Sequence, residues 1–348
     1  MIFAAGLGTR LRPLTDTMPK ALVPIDGKPL LHHLLHKLQH AGCSHVVINV
    51  HHHAQQIIEY VERHDYGMRI AISDESNMLL DTGGGLRKAG SLLEGDEPIL
   101  VHNVDILSNI DFDTLLQSHH PDNLATVVVS QRNTSRYLLF DKEMRMRGWT
   151  NINSGDVKPQ GLDTTPLQQA AFAGIHIVSP RIFEQMRNMP DKFSIIDFYL
   201  QAMTEHRIMG YIPQDFTMLD VGKIDSLAPA EEFVKSIVYD SLNSMFTGAF
   251  NDLTESWDLG YDPAGSIADL DRAFSVLMKT PGWERFKNTA ATGRVKYYLD
   301  ARGNGISTEK FTTLYGEYRD IDASESLNST QKAHEWAVVL EEAVDDGY

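Results

Sequence analysis

"FAAGLGTRLRPLTDTMPKALVPIDGKPLL" runs from Phe3 to Leu31 and decides how the rest of the chain is read. Residues 1–30 gather Arg10, Arg12, Lys20 and Lys28 against only Asp16 and Asp26, in a chain whose formal net charge is −16. Gly6 and Gly8 stand between a short apolar run, "MIFAA" (1–5), and these cations. A glycine-rich turn after a strand presents backbone N–H groups to a ligand, and glycine lets the backbone come close where a Cβ would intrude. Positive charge concentrated at such a turn in an acidic protein points to an anion held there. From these residues alone, an ordinary tight turn with incidental cations is the competing reading. Two familiar phosphate patterns are absent. The dinucleotide fingerprint needs a third glycine where "GLGTRL" has Leu11, and an acidic residue after the second strand, where Val50 is followed by His51. The P-loop spelling does not occur.

The 348 residues, 42% hydrophobic and 22% charged, are those of a globular chain long enough for one large domain or two ordinary ones. The acidic balance argues against nucleic acid as a partner, because no basic stripe is available to displace counterions. Cys43 is the single cysteine, so no intrachain disulfide forms and a reducing compartment is expected. No run approaches the roughly 18 apolar residues of a membrane helix, and the start lacks a signal-peptide pattern, so the expected setting is the cytoplasm with no membrane partner.

Periodicity predicts a buried strand at 1–5 and a helix from Pro29 to Gly42, with Leu30, Leu31, Leu34, Leu35 and Leu38 on one face. Further strands are expected at 45–50, 68–72, 98–102, 124–130, 136–140 and 173–178, and helices at 54–64, 86–93 and about 224–238, the last following "FTMLD" (216–220). Strands alternating with helices predict an α/β, Rossmann-like fold: a mostly parallel sheet covered by helices, with its ligand crevice outside the carboxyl ends of the strands. Beyond about residue 240 the texture changes. Residues 241–348 carry 10 Lys/Arg and 18 Asp/Glu, a net of −8, half of the chain's charge. Helical periodicity at 266–280 and 332–344 and a strand at 293–301 predict a separate, mainly helical module of unknown purpose.

The whole opening stretch resembles the signature G-x-G-T-R-[LM]-x-P-L-T-…-P-K of the sugar-1-phosphate nucleotidyltransferases, and the resemblance extends through most of residues 1–240. "LLDTGGGLRKA" (79–89) resembles the segment that this family places against the nucleobase, "VHNVDIL" (101–107) matches the family's acidic residue after a strand with Asp105, and "MLDVGKIDSLAPAEEF" (218–233) resembles a late D-[IV]-G motif with Asp220. The TGGG spelling is closest to N-acetylmuramate-1-phosphate uridylyltransferases and to mannose- or heptose-1-phosphate guanylyltransferases. The resemblance implies transfer of a nucleotidyl group from an NTP, UTP or GTP, to a sugar-1-phosphate, with Mg²⁺ held by Asp105 and Asp220. It implies that Arg10 contacts the leaving pyrophosphate and Lys20 the phosphates around the α-phosphorus. Ala5, Gly6, Gly8 and Thr9 would form the backbone cradle, Thr82, Gly83, Gly84 and Asn103 would meet the nucleotide, and Gly174 the sugar.

The chain departs from the family in places. Asn103-Val104-Asp105 replaces a common G-D spelling, and the E-K-P lysine that grips the sugar phosphate is missing, since Lys158-Pro159 has no preceding glutamate; Lys158 is therefore not assigned to that role. The chain begins with the first strand itself, for which slight fraying is expected. Loss of a clamp leaves open a second function, a non-catalytic nucleotide-sugar-binding regulatory protein, and the tail leaves open a scaffold. Oligomeric state is not legible in the sequence.

Two further signals read as structural. His32, His36 and His40 share a helical face at a spacing that could bind metal, but no carboxylate or cysteine pattern accompanies them. "DARGNGISTEKF" (300–311) is a poor calcium loop, with Arg302 and Phe311 where oxygen ligands belong. Trp257, Trp283 and Trp336 are expected in the core of the tail.

Overall fold

The computed structural model of the chain describes residues 1–93 and 95–234. The chain divides after Val234 into two units, Met1–Val234 and Lys235–Tyr348. The elements expected at 266–280, 293–301 and 332–344, the 300–311 loop and the three tail tryptophans lie outside the described residues.

In chain order the strands are β1 (Ile2–Phe3), β2 (Pro24–Ile25), β3 (Lys28–Pro29), β4 (His45–Val50), β5 (Arg69–Asp74), β6 (Ile99–Asn103) and β7 (Ile106–Ser108). They continue with β8 (Asn123–Ser130), β9 (Arg136–Phe140), β10 (Met146–Asn151), β11 (Asp156–Lys158), β12 (Gln168–Val178), β13 (Arg207–Tyr211) and β14 (Met218–Asp220). The helices are α1 (Leu30–His40), α2 (Ala54–Glu62), α3 (Asp81–Ala89), α4 (Phe112–Gln117), α5 (Ile182–Gln185) and α6 (Ile195–Ala202). Ten strands form one sheet in the order β11-β10-β9-β12-β6-β1-β4-β5, with β8 added to β12 and β13 to β8. The sheet is mixed. Its central strands β6, β1, β4 and β5 run parallel, whereas β12 runs antiparallel to β6, β8 and β9.

Both faces are covered, which is why β4 and β8 read as nearly unbroken apolar runs. One core joins the leucines of α1, Ile57 and Val61 of α2, and Phe112 and Leu115 of α4. The other joins Leu86 of α3, Ile182 of α5, and Phe198 and Tyr199 of α6. β1 spans only two residues but is not frayed. It is paired on both sides, and Met1 donates its amine to the Leu100 carbonyl at 2.5 Å while accepting from His102 N at 3.0 Å.

Two of the expected helices differ at their start from the periodicity reading. The helix expected at 86–93 begins at Asp81 and so contains Gly83, Gly84 and Gly85. Glycine costs about 1 kcal/mol in a helix interior relative to alanine, but here tertiary packing overrides that preference. A Cβ at Gly83 would lie 2.3 Å from the Phe193 ring, and one at Gly84 would lie 2.4 Å from the Asp191 carbonyl. The helix expected from Ile224 opens as a 3₁₀ turn, Ile224–Ser226, and residues 227–234 are helical to the end of the described unit.

Two histidines lie in the sheet itself. His102 Nδ1 donates to the Asn103 carbonyl at 2.8 Å, and His176 Nδ1 meets the Tyr199 hydroxyl at 2.5 Å. Burial lowers the pKa of each from 6.5 to about 3. Between those values the unfolded chain takes up protons that the folded chain refuses, so stability is intact above about pH 6.5 and falls as pH drops toward 3. Thermal unfolding of the intact protein from pH 8 to pH 4 should show a melting temperature that declines steadily below pH 6.5, with a shallower slope in His176→Gln.

Candidate active site

The glycine-rich turn lies at the carboxyl end of β1, and a buried pair holds its backbone. Asn49 Oδ1, at the end of β4, accepts from Ala4 N at 2.7 Å and from Ala5 N at 3.3 Å. Asn49 Nδ2 donates to Glu75 Oε1 at 2.7 Å, and Glu75 Oε2 accepts from Leu80 N at 3.0 Å, just before α3. Asn49 is 3% exposed and Glu75 1%, so each depends on the other for the hydrogen bonds that burial demands. The pair fits only because residue 85 is glycine, whose Cβ would lie 2.6 Å from Glu75 Oε1 and 2.9 Å from Asn49 Nδ2. The first and second glycine motifs are thus parts of one construction. Asn49 and Glu75 do not stand out in the sequence, whereas Gly85 belongs to the TGGG run; an amide closing a buried strand and a glutamate closing the next pairing are the faint signals.

Within the turn the two glycines do different work. Gly8 adopts φ +62°, and its Cβ would lie 2.8 Å from Thr15 Cγ2; Thr15 Oγ1 donates to the Gly8 carbonyl at 2.8 Å. This folds the loop back toward Lys20. A Cβ at Gly6 would meet no protein atom within 4 Å, so nothing in the fold requires glycine there. Gly6, Thr9 and Arg10 are exposed.

Asp105 follows β6, and β7 then pairs antiparallel with β14 so that Asp220 stands opposite Ile106. Val221 N donates to the Asp105 carbonyl at 2.8 Å, fixing the two acids side by side although 115 positions separate them in the chain. The Lys20 ammonium forms an ion pair with Asp105 Oδ2, and its side chain is only 10% exposed. Asp220 keeps contact with solvent, yet the surrounding protein and then the Asp105 charge push its carboxyl pKa above the usual carboxylate range. Lys20, Arg10 and Arg132 oppose that shift. Gly222 lets Arg10 approach, since a Cβ there would lie 2.7 Å from Asp220 Oδ1 and 2.9 Å from Arg10 Nη2. The structure thus brings Arg10, Lys20, Asp105 and Asp220 together, and it adds Gly222 and Arg132, neither of which the sequence singled out. The glycine of the D-V-G motif could have been found; Arg132, in the 131–135 loop, carries no local signal.

On the other side of β6, Gly174 has φ +75° in an irregularity of β12, and its Cβ would lie 2.6 Å from Asn103 Nδ2. Asn103 and Gly174 are therefore neighbours. Thr82 Oγ1 accepts from Ile195 N at 2.9 Å, and the amides of Gly83 and Gly84 donate to the Phe193 carbonyl, so in these three residues the visible close approach is by the 191–195 segment. Lys158 is held elsewhere, 3.2 Å from Asp197 and over the Trp149 ring at 5.5 Å.

Among the described residues no group of three or more His, Cys, Asp or Glu is arranged to hold a metal. His32 Nδ1 instead meets the Tyr60 and Tyr66 hydroxyls at 3.1 and 3.2 Å. No helix among the described residues is long and apolar enough to cross a membrane.

Residues 1–237 match the family model described as nucleotidyl transferase. The N-acetylmuramate alpha-1-phosphate uridylyltransferase of Neisseria meningitidis is 44% identical over 242 residues, covering 66% of this chain and 96% of that one. The mannose-1-phosphate guanylyltransferase catalytic subunit beta of Drosophila pseudoobscura pseudoobscura is 31% identical over 230 residues, 64% of this chain and 58% of that one. Among solved structures, HddC from Yersinia pseudotuberculosis complexed with GMP-PN shares the fold with a TM-score of 0.53 at 22% identity, over 66% of this chain and 96% of that chain.

The two kinds of glycine separate in a stability measurement. Gly85→Ala should destabilise the protein by about 1–3 kcal/mol, because its Cβ forces the Asn49–Glu75 pair apart. Gly6→Ala should leave unfolding within about 0.5 kcal/mol of wild type while weakening nucleotide binding. Chemical denaturation and nucleotide titration of the two variants check both statements. Asp220→Asn, which removes like-charge repulsion, should raise the melting temperature rather than lower it.

Proposed function

This chain belongs to the nucleotidyl transferase family, and on that premise we propose that it makes a nucleotide-sugar by transferring a nucleotidyl group from an NTP to a sugar-1-phosphate. The observation that carries the reading is the β7–β14 pairing, which sets Asp105 and Asp220 side by side between Lys20 and Arg10 at the mouth of the glycine-rich turn.

The chemistry this geometry suits is an in-line displacement. A phosphate oxygen of the sugar-1-phosphate attacks the α-phosphorus, a new P–O bond forms, and the bond to the α–β bridging oxygen breaks, with its electron pair leaving on pyrophosphate. The nucleophile is already an anion, so no side chain need remove a proton. The protein's task is to bring two anions together and to balance the charge that builds up between them. The open direction of Gly6 admits close approach of the phosphates to backbone amides. Arg10, positioned by Gly222, is placed for the departing pyrophosphate, and Lys20 for the oxygens around the α-phosphorus.

Asp105 and Asp220 fit Mg²⁺: two nearby carboxylates, one with its pKa raised by burial and then by the other's charge, are a site that a divalent cation would relieve. Two protein ligands suit an ion that keeps waters and shares phosphate oxygens. When bound, Mg²⁺ would neutralise phosphate charge at the reacting centre. The 44% identity over nearly the whole length of the Neisseria protein favours UTP and N-acetylmuramate 1-phosphate as the pair, with GTP and mannose 1-phosphate next. A cytoplasmic setting, where NTPs are held, accords with this reading.

Pyrophosphate release with Mg²⁺, crossing UTP, GTP, CTP, dTTP and ATP against N-acetylmuramate, mannose, heptose, glucose and N-acetylglucosamine 1-phosphates, tests it. Release with one pair, UTP and N-acetylmuramate 1-phosphate first, is expected, falling by about 10²-fold or more in Asp105→Asn. No release across the grid, with nucleotide-sugar still bound, would replace the enzyme by a regulatory binding protein.

A further inference from the structure

We infer that Arg132 is the cation that holds the phosphate of the sugar-1-phosphate, in place of the lysine that this chain does not present there. The inference deepens the reaction proposed above and rests on it.

Arg132 lies in the loop that leaves the carboxyl end of β8. Its Nη2 donates to the Phe172 carbonyl at 3.1 Å. Phe172 pairs with Val129, and the register then slips so that His176, four residues on, faces Val127, only two residues back. The slack contains Gly174, whose left-handed backbone abuts Asn103. The arginine is therefore tied to the irregularity that forms the wall of the site beside β6. Its guanidinium is exposed at this wall and lies within electrostatic reach of Asp220.

The strand order gives the side of the site. β1, with the glycine-rich turn and Arg10, flanks β6 on one side, and β12, backed by β8, flanks it on the other. Arg10 and Arg132 thus come from opposite sides of the strand that leads to Asp105, and both act on Asp220. A displacement between two phosphates needs one cation for the leaving group and another for the incoming one; Arg10 stands on the nucleotide side, which leaves Arg132 for the incoming phosphate. Four of the other basic side chains of the 130–160 segment are engaged away from it. Lys142 pairs with Glu143, Arg147 with Asp141 and Lys158 with Asp197, while Arg145 donates to the Met203 carbonyl. A guanidinium also suits a phosphate well, because its fixed fork can donate to two oxygens at once.

Arg132→Gln and Arg132→Lys separate charge from architecture. Glutamine keeps a polar side chain with an N–H donor but has no charge; lysine retains the charge. Steady-state kinetics on the full chain should show KM for the sugar-1-phosphate raised about tenfold or more in Arg132→Gln, with KM for the NTP within about threefold of wild type. Arg132→Lys should recover part of the loss. No change in Arg132→Gln, an equal rise in both KM values, or a lysine variant no better than glutamine would overturn the assignment. If the wild-type protein releases no pyrophosphate with any pair, the reaction itself fails; calorimetric binding of N-acetylmuramate 1-phosphate to wild type and Arg132→Gln then tests the arginine separately. Binding lost in the variant supports it, and binding equal in the two, or absent from both, refutes it.

Discussion

The site depends on the pairing of two three-residue strands. β7 and β14 are short, and their antiparallel register, extended by the bond from Val221 N to the Asp105 carbonyl, returns residue 220 to the side of residue 105. Two carboxylates held together repel, and the pKa of Asp220 is raised first by burial and then by the Asp105 charge. The cations around them follow from this constraint. Lys20 is drawn onto Asp105, Arg10 passes Asp220 where Gly222 leaves room, and Arg132 contributes from the far wall. A protein that only needed a stable fold would have no reason to maintain such a cluster. Stability is conceded where charge must later be balanced by ligand.

A second constraint locks the glycine-rich turn. The Asn49–Glu75 pair ties the ends of three successive segments, the turn after β1, the end of β4 and the start of α3, into one hydrogen-bonded unit. Because both groups are buried, the unit tolerates little half-measure: removing one partner leaves Asn49 Nδ2 or Glu75 Oε1 without its bond. Rigid placement of the loop backbone matters for phosphate binding, since donors that are already oriented cost no rearrangement when the ligand arrives.

Much of this was legible in the sequence, and the reasons for what was not are physical. The strands of 45–50 and 136–140 appear at their expected places, and α1 begins after Pro29 and ends just short of Gly42, because apolar periodicity and turn residues agreed there. The start of α3 was missed because three consecutive glycines argue against a helix locally, and only Phe193, Asp191 and Glu75, distant in sequence, explain why the glycines are needed. The antiparallel strands from 146 to 158 carry weak alternation and went unseen. Arg10, Lys20, Asp105 and Asp220 were reachable through long motifs. Arg132 was not, because its position depends on a slip in strand register that no local pattern announces.

On the proposed reading, Asp105 and Asp220 act as one divalent-cation site in the nucleotide-bound protein. Electron paramagnetic resonance of Mn²⁺, substituted for Mg²⁺ and recorded with the nucleotide that supports turnover, tests it most directly. Wild type should give a protein-bound Mn²⁺ signal that is lost in both Asp105→Asn and Asp220→Asn while nucleotide remains bound. A signal that persists unchanged in either variant would contradict it.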